Sequence, residues 1–227
     1  MSDEPPSFPG DGTGAEPAVA PVRVGVLALQ GAFREHQQAF ERVGATAVAV
    51  RRPAQLEGLA GLVIPGGESS TMAKLMLAYG FDRAIVEFVR AGGRVWGTCA
   101  GAIAVASVIE GRPEQLRLGL LDVAVARNAY GRQVASFEAD FTVDGWELPF
   151  RALFIRAPRI TSVGHDVRTL AVYDGQAIAV ANDSVVATVF HPELTGDDRW
   201  HRAFAAWCAH GPGAREGAPA HQESRFP

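Results

Sequence analysis

The chain has 227 residues, enough to bury one sizeable core, with an apolar fraction of 48% and a charged fraction of 20%, as in ordinary globular domains. A net charge of -4 supplies no basic field for nucleic acid or an anionic membrane. Its two cysteines, Cys99 and Cys208, form neither a disulfide framework nor a zinc-type cluster, which fits a reducing cytoplasm. No apolar run approaches the roughly 18 residues of a membrane span, and the start of the chain has neither the basic nor the apolar region of a secretory signal.

Residues 1–21 hold five prolines, three glycines and four acidic residues and read as a disordered extension outside the fold. Val22 to Leu29 is an apolar run suited to burial on both faces of a parallel sheet. Gln30-Gly31 turns into a helix from Ala32 to Val43, with Phe33, Gln37, Phe40 and Val43 on one face and Gly44 as its stop. His36, beside Arg34 and Glu35, reads as solvent-exposed. Strands are expected at Thr46 to Val50 and Gly61 to Ile64, the latter ending in Pro65-Gly66-Gly67. Helices follow from Ser69 to Tyr79, with Met72, Leu75 and Met76 inward, and from Asp82 to Ala91. Ser69 is the expected cap of the first of these.

Arg94 to Ala106 is the stretch with the most chemistry. An apolar strand runs into Gly97-Thr98-Cys99-Ala100-Gly101, and a small-residue helix follows. Glycine two before and two after a nucleophile is the spacing of a nucleophile elbow, with cysteine in place of serine. At a helix start, backbone N–H groups and the dipole favour thiolate over thiol.

Beyond Glu110 strands predominate, at Leu120 to Ala126, Ser136 to Val143, Ala152 to Ile155, Thr169 to Tyr173, Ala177 to Ala181 and Val185 to Phe190. Turns such as Asp144-Gly145 and Asp174-Gly175 suit antiparallel hairpins. A last helix from about Asp198 to Ala209 turns Trp200, Phe204 and Trp207 inward, and residues 211–227 read as a disordered tail. Val22 to His210 is therefore one expected domain. Its first half alternates strands with helices, which predicts a parallel sheet covered on both faces, with ligands outside the carboxyl ends of the strands.

A thiol hydrolase needs a base, an acceptor to orient it, and donors for the oxyanion. His191 at a strand end is the best base, with Glu193 two residues on as its orienter. Gly67 N–H and Ala100 N–H are the oxyanion candidates. Pro65-Gly66-Gly67-Glu68-Ser69-Ser70-Thr71 lacks the lysine of a P-loop, and Glu68 would repel a phosphate but could pair with an ammonium. His165-Asp166 reads as a turn pair, and His201 and His210 receive no role.

Gly97-Thr98-Cys99-Ala100-Gly101 with His191-Pro192-Glu193 resembles the triad of class I glutamine amidotransferases. Within that superfamily, five further stretches resemble the glutaminase subunits of pyridoxal 5′-phosphate synthases. They are Gly25 to His36, Pro65 to Thr71, Arg127 to Gln133, Phe154-Ile155-Arg156-Ala157-Pro158 and Phe190 to Thr195. The likeness spans about Val22 to Cys208; Ser70 and Ala102 are small departures beside the motifs.

The resemblance implies an α/β three-layer sandwich with a mostly parallel central sheet and added antiparallel strands in the second half. It implies hydrolysis of L-glutamine with Cys99 as nucleophile, His191 and Glu193 completing the triad, and Gly67, Glu68, Ser69, Arg127, Ile155 and Arg156 contacting glutamine. It also implies no cofactor or metal, and a partner synthase subunit with a (β/α)8 barrel in a large hetero-oligomer. Gln30 and Gly31 are expected near the crevice or the partner face, and Asn128 to Gln133 below Arg127 or at the partner. Two other readings stay open: a cysteine acyl hydrolase serving another acceptor, and a thiol redox sensor pairing Cys99 with Cys208.

Overall fold

The computed structural model describes residues 8, 22–127 and 136–211. The expected segments at 128–133 and 212–227, and all of 1–21 except Phe8, lie outside the described residues. Strands β1 (Arg23–Leu27), β2 (Thr46–Val50), β3 (Gly61–Ile64), β4 (Arg94–Thr98), β5 (Ala106–Ile109) and β6 (Leu121–Ala126) belong to the first half and centre of the chain. They are followed by β7 (Ser136–Phe141), β8 (Phe150–Ile155), β9 (Arg159–Val163), β10 (Arg168–Tyr173), β11 (Gln176–Ala181) and β12 (Val185–Thr188). The helices are α1 (Phe33–Arg42), α2 (Ser69–Ala78), α3 (Phe81–Arg90), α4 (Ala100–Val105) and α5 (Arg199–Ala209).

Seven strands form the main sheet in the order β10-β11-β12-β4-β3-β1-β2. The five from β12 to β2 are parallel, and β10 and β11 add an antiparallel edge. The parallel strands are buried almost throughout: β3, β4 and β12 expose no residue, as expected where helices cover both faces. The chain runs from β1 through α1 to β2 in one direction along the sheet, and from β3 through α2 and α3 to β4 in the other. Right-handed crossovers then place α1 on one face and α2 and α3 on the opposite one. α5 joins α1. A three-stranded sheet (β5-β6-β9) and the β7–β8 hairpin stand apart from the main sheet.

Trp96 of β4 is the centre of the α1–α5 side. Its ring lies 6.1 Å from Trp200 and 5.5 Å from Phe204, with Phe40 edge-on at 6.5 Å. Burying such rings is worth roughly 1.5–3 kcal/mol each, so this cluster fixes α1 and α5 against the carboxyl half of β4. Phe8 joins it, 5.4 Å from Trp200 and 5.5 Å from Trp207. The expectation that residues 1–21 stand wholly outside the fold therefore does not hold at Phe8. An aromatic ring in a run of proline, glycine and acids gains more against two tryptophans than in water.

The parallel strands and helices α1, α2, α3 and α5 fall within a residue or two of the expected bounds, and α4 follows the elbow as expected. β5 and β9 were not expected. β5 follows α4 with no glycine or proline between them, and β9 buries only Ile160, so neither carries a period-2 signal. His36 is a correction: it is completely buried. The buried stripe of α1 is His36, Ala39 and Phe40, rotated from the Phe33–Gln37–Phe40 face.

Candidate active site

β12, β4, β3 and β1 are neighbours in the sheet, so the segments leaving their carboxyl ends emerge side by side. Thr98 of β4 leads into Cys99, Ile64 of β3 into the glycine turn, and Thr188 of β12 into Val189-Phe190-His191. Cys99 has φ 48° and ψ -101°, a strained conformation for a residue with a Cβ. Its N–H donates to Thr188 O at 2.8 Å, tying the elbow to β12. The flanking glycines are required by contact. A Cβ on Gly97 would lie 2.5 Å from the Gly101 carbonyl carbon, and one on Gly101 would collide with Ile64 O.

His191 is held by its backbone N–H, which donates to Leu153 O of β8 at 2.9 Å. Its Nδ1 lies 2.8 Å from Glu193 Oε1, and the Glu193 side chain is fully enclosed. Burial opposes a charge on His191, but hydrogen bonds to Cys99 and then to Glu193 outweigh it and raise its pKa to about 10. Glu193 is lowered despite its burial, through His36 and His191. The environment thus favours an imidazolium between a carboxylate and the sulfur. Gly66 packs into the same corner: a Cβ there would strike the His191 ring and lie 3.3 Å from the Cys99 Cβ.

These groups open onto a crevice of about 290 Å³ lined by Gly67, Glu68, Ser69, Cys99, Ala100, Ile103, Arg127, Ile155, Arg156, Pro158 and His191. Ile103 and Pro158 were not among the expected site residues; Ile103 follows the elbow, Pro158 ends the Phe154–Pro158 stretch, and both supply apolar wall. Cys99 Sγ lies 3.9 Å from Ile155 O. Gln30 and Gly31 do not line the crevice but brace it from beneath. The Gln30 amide accepts from Glu68 N–H at 3.2 Å and donates to Glu68 O at 3.4 Å, and Ala32 N–H donates to Gly66 O at 3.2 Å.

Glu68, not Ser69, caps α2. Its carboxylate accepts from the N–H groups of Ser70 at 3.1 Å and Thr71 at 2.7 Å, and from Thr71 Oγ1 at 2.8 Å. The bonds from Thr71 hold its pKa down to about 2. Arg127 completes the arrangement, with Nη2 3.3 Å from Glu68 Oε1 and Nη1 donating to Ser70 Oγ and Gln115 Oε1. The four lone-pair positions of the Glu68 carboxylate are thereby filled. Arg156, with φ 43°, is exposed and makes no ion pair among the described residues.

Cys208 is remote from this site. It packs against Gly61 at the start of β3, whereas Cys99 follows the end of β4, in register with β3 through Ile64↔Gly97. A strand length of roughly 10 Å separates them, beyond the reach of a disulfide, and burial pushes the Cys208 thiol up. The redox-pair reading fails on this geometry. His165 and Asp166 form an exposed contact at 3.1 Å, as expected of a turn pair. Among the described residues no group of three or more His, Cys, Asp or Glu is arranged to hold a metal ion.

A thiol, an imidazole backed by a carboxylate, and a glycine turn at the strand ends of a parallel sheet define a cysteine-dependent amide or ester hydrolase site. The model of the SNO glutamine amidotransferase family matches residues 26–210, and the chain belongs to that family. A relative from Deinococcus radiodurans, named pyridoxal 5′-phosphate synthase subunit PdxT, is 52% identical over 185 residues, covering 80% of this chain and 94% of the relative. A subunit of the same name from Mycobacteroides abscessus is 50% identical over 182 residues, covering 80% and 94%. A crystal structure described as a glutamine amidotransferase superposes with a TM-score of 0.79 at 48% identity, covering 82% of this chain and 98% of its own. PurLQS from Thermotoga maritima, at 18% identity and a TM-score of 0.61 over 83% and 98%, shares the fold.

Proposed function

We propose that the chain hydrolyses L-glutamine at this crevice and passes the ammonia to the synthase subunit of a pyridoxal 5′-phosphate synthase, for vitamin B6 formation. The observation that carries the reading is the meeting of Cys99, His191–Glu193 and the Gly66-Gly67 turn on adjacent strand ends, in a chain of the glutamine amidotransferase family.

In this reading the Cys99 thiolate attacks the carboxamide carbon, and the oxyanion forms toward Gly67 N–H and Ala100 N–H. Neither group donates to another acceptor among the described residues. The His191 imidazolium gives its proton to the departing nitrogen, so ammonia leaves and a γ-glutamyl thioester remains. His191, now neutral and oriented by Glu193, takes a proton from water, whose oxygen attacks the thioester. Glutamate leaves and the thiolate–imidazolium pair is restored.

Arg156 is the uncommitted cation for the substrate α-carboxylate, with bidentate geometry available. Glu68 meets the substrate ammonium. Because its lone-pair positions are full, the ammonium displaces the Arg127 bond, and the freed Arg127 guanidinium turns to the substrate carboxylate. Ser69 and Ile155 border the path between these ends. The partner is a separate synthase subunit with a (β/α)8 barrel, in a large cytoplasmic hetero-oligomer. Physical necessity favours this direct delivery, because ammonia released into neutral water is mostly protonated and no longer nucleophilic. Gln30 and Gly31, which hold the glycine turn from behind, are assigned to the side of the crevice that faces the partner, and residues 22–210 form the glutaminase domain.

The test is cofactor formation by the chain mixed with its synthase subunit, driven by glutamine or by an ammonium salt. Cys99→Ala abolishes the glutamine-driven reaction and leaves the ammonium-driven one intact. Glutamine-driven synthesis by that variant would refute the assignment.

A further inference from the structure

One layer beneath the crevice lie two titratable groups that the reaction above leaves unused. His36 of α1 and His201 of α5 are both completely buried, enclosed by the rings of Trp96 and Phe40. His36 Nδ1 lies 2.8 Å from His201 Nε2. His36 Nε2 lies 3.2 Å from Thr98 Oγ1 and 3.4 Å from Glu193 Oε2. Glu193 uses Oε1 for His191, while its buried Oε2 makes no full hydrogen bond. A bare carboxylate oxygen in a dry interior is costly, and the His36 ring edge is the group turned toward it.

The proton positions follow from what each atom can accept. Burial lowers the pKa of both His36 and His201, so each is a neutral ring with a single N–H. Glu193 is an acceptor, so the proton of His36 belongs on Nε2. His36 Nδ1 then accepts from His201 Nε2–H, which leaves His201 Nδ1 without a proton. That atom is the one the structure leaves buried with no partner, and a bare acceptor is tolerated in proteins more often than a bare donor. One assignment accounts for all four nitrogens.

We propose that His36 is a positioning residue for amide hydrolysis. Its Nε2–H, fixed by His201 and shared between Thr98 and Glu193, holds the Glu193 carboxylate so that Oε1 stays aimed at His191. The inference rests on the assignment of Glu193 as the carboxylate of the triad. Two acceptors within reach of one N–H also suit the cycle. Glu193 faces an imidazolium before the amide breaks and a neutral ring after it. In the second state Oε2 carries more uncompensated charge, and the His36 N–H shifts from Thr98 toward it. An apolar residue at position 36 would suit the buried stripe of α1 as well; only a side chain with a donor at the Nε2 position meets this requirement.

The test compares His36→Gln, His36→Asn and His36→Phe in the full chain with its synthase subunit, with melting temperature measured alongside. A glutamine amide nitrogen can take the place of Nε2, an asparagine amide reaches only the Nδ1 position, and phenylalanine fills the space with no donor. His36→Gln is expected to keep about a third or more of kcat, and Asn and Phe to lose about ten- to a hundredfold, as for a lost bond to a charged group. KM stays within about twofold in all three, because no substrate contact is removed. Losing a donor to the charged form raises a carboxyl pKa, so in His36→Asn the acid limb of kcat/KM moves to higher pH. His191 faces the other Glu193 oxygen, and His201, Glu35 and Arg42 bear on the buried histidines; none of them changes in these variants.

A role in packing alone ranks Phe above Gln, and that order would overturn the proposal, as would wild-type kcat in His36→Asn. If Phe does not fold, the order of Gln and Asn decides. Glu193→Gln separates the two levels of the argument. Wild-type kcat there defeats the triad assignment, whereas an inactive Glu193→Gln beside a fully active His36→Asn defeats the positioning role alone.

Discussion

On the side proposed to react the crevice takes Cys99 and His191 from segments leaving the parallel strands, and sets Glu193 just beyond; their exposures are 7%, 7% and 6%. On the side proposed to recognise the substrate it takes Glu68, Arg127 and Arg156 from a cap, the end of β6 and the end of β8, where the Glu68 side chain is 55% exposed and that of Arg127 21%. The first set is fixed by backbone bonds to β12 and β8 and by glycines that admit no side chain. In the second, Glu68 and Arg127 are held by an ion pair and hydrogen bonds that a ligand can exchange, and Arg156 has no ion pair among the described residues. Chemistry needs atoms held to within fractions of an ångström, whereas a substrate that enters and leaves needs charges that can change partners.

The contrast predicts that substitutions on the reacting side change kcat and those on the recognition side change KM. Glu193→Gln is expected to lower kcat by about 10²–10⁴-fold, since it removes the orienter and counter-charge of the base. A fall confined to KM in steady-state glutaminase assays would break the comparison. Gly101→Ala drives a methyl into Ile64 O, so the elbow must open; kcat falls about a hundredfold or more, in line with an ångström-scale misplacement. Its melting temperature falls as well.

Arg156→Gln is expected to raise KM about ten- to a hundredfold, the worth of a charged hydrogen bond, with kcat nearly unchanged. Equal loss in both constants would place Arg156 on the reacting side instead.

Stability against pH sharpens the same division. His191 is raised from an ordinary value of 6.5 to about 10, so the stability it contributes is fully present below its unfolded pKa and lost as pH rises through about 10. In Cys99→Ala the first of the hydrogen bonds that raise this pKa is gone, and the alkaline loss begins at lower pH in thermal melts. Glu68 has the opposite sign. Lowered from 4.5 to about 2, it contributes stability above its unfolded value that is lost as pH falls toward 2. Exposure limits its size, and Glu68→Ala should cost about 1 kcal/mol through the cap; denaturant melts at neutral pH measure it.

The reacting side was also the more legible in the sequence. Gly97 and Gly101 around Cys99 state a steric requirement that any reader of spacing can see, and an apolar run ending in His191-Pro192-Glu193 places a base at a strand end. Parallel strands buried on both faces announce themselves by composition. The recognition side depends on how β6, β8 and α2 come together, so Arg127 on Glu68 and Gln115 has no local signature. Ser69 was the expected cap because it has the commoner residue type, but the longer Glu68 side chain reaches back to the Ser70 and Thr71 amides. His36 was misread for a related reason. Its neighbours Arg34 and Glu35 are charged, yet helical spacing puts it with Ala39 and Phe40, and a polar ring on an apolar stripe is the signal that it has a buried partner. That partner, His201, is 165 residues away.

The central claim is that Cys99 carries the acyl group. It is tested most directly by quenching the chain and its synthase subunit in acid during glutamine turnover, then mapping adducts by mass spectrometry. The account predicts a γ-glutamyl thioester on the peptide holding Cys99, more abundant at early times and absent from Cys99→Ala. Turnover with that peptide unmodified, or with the adduct on Cys208, would contradict it.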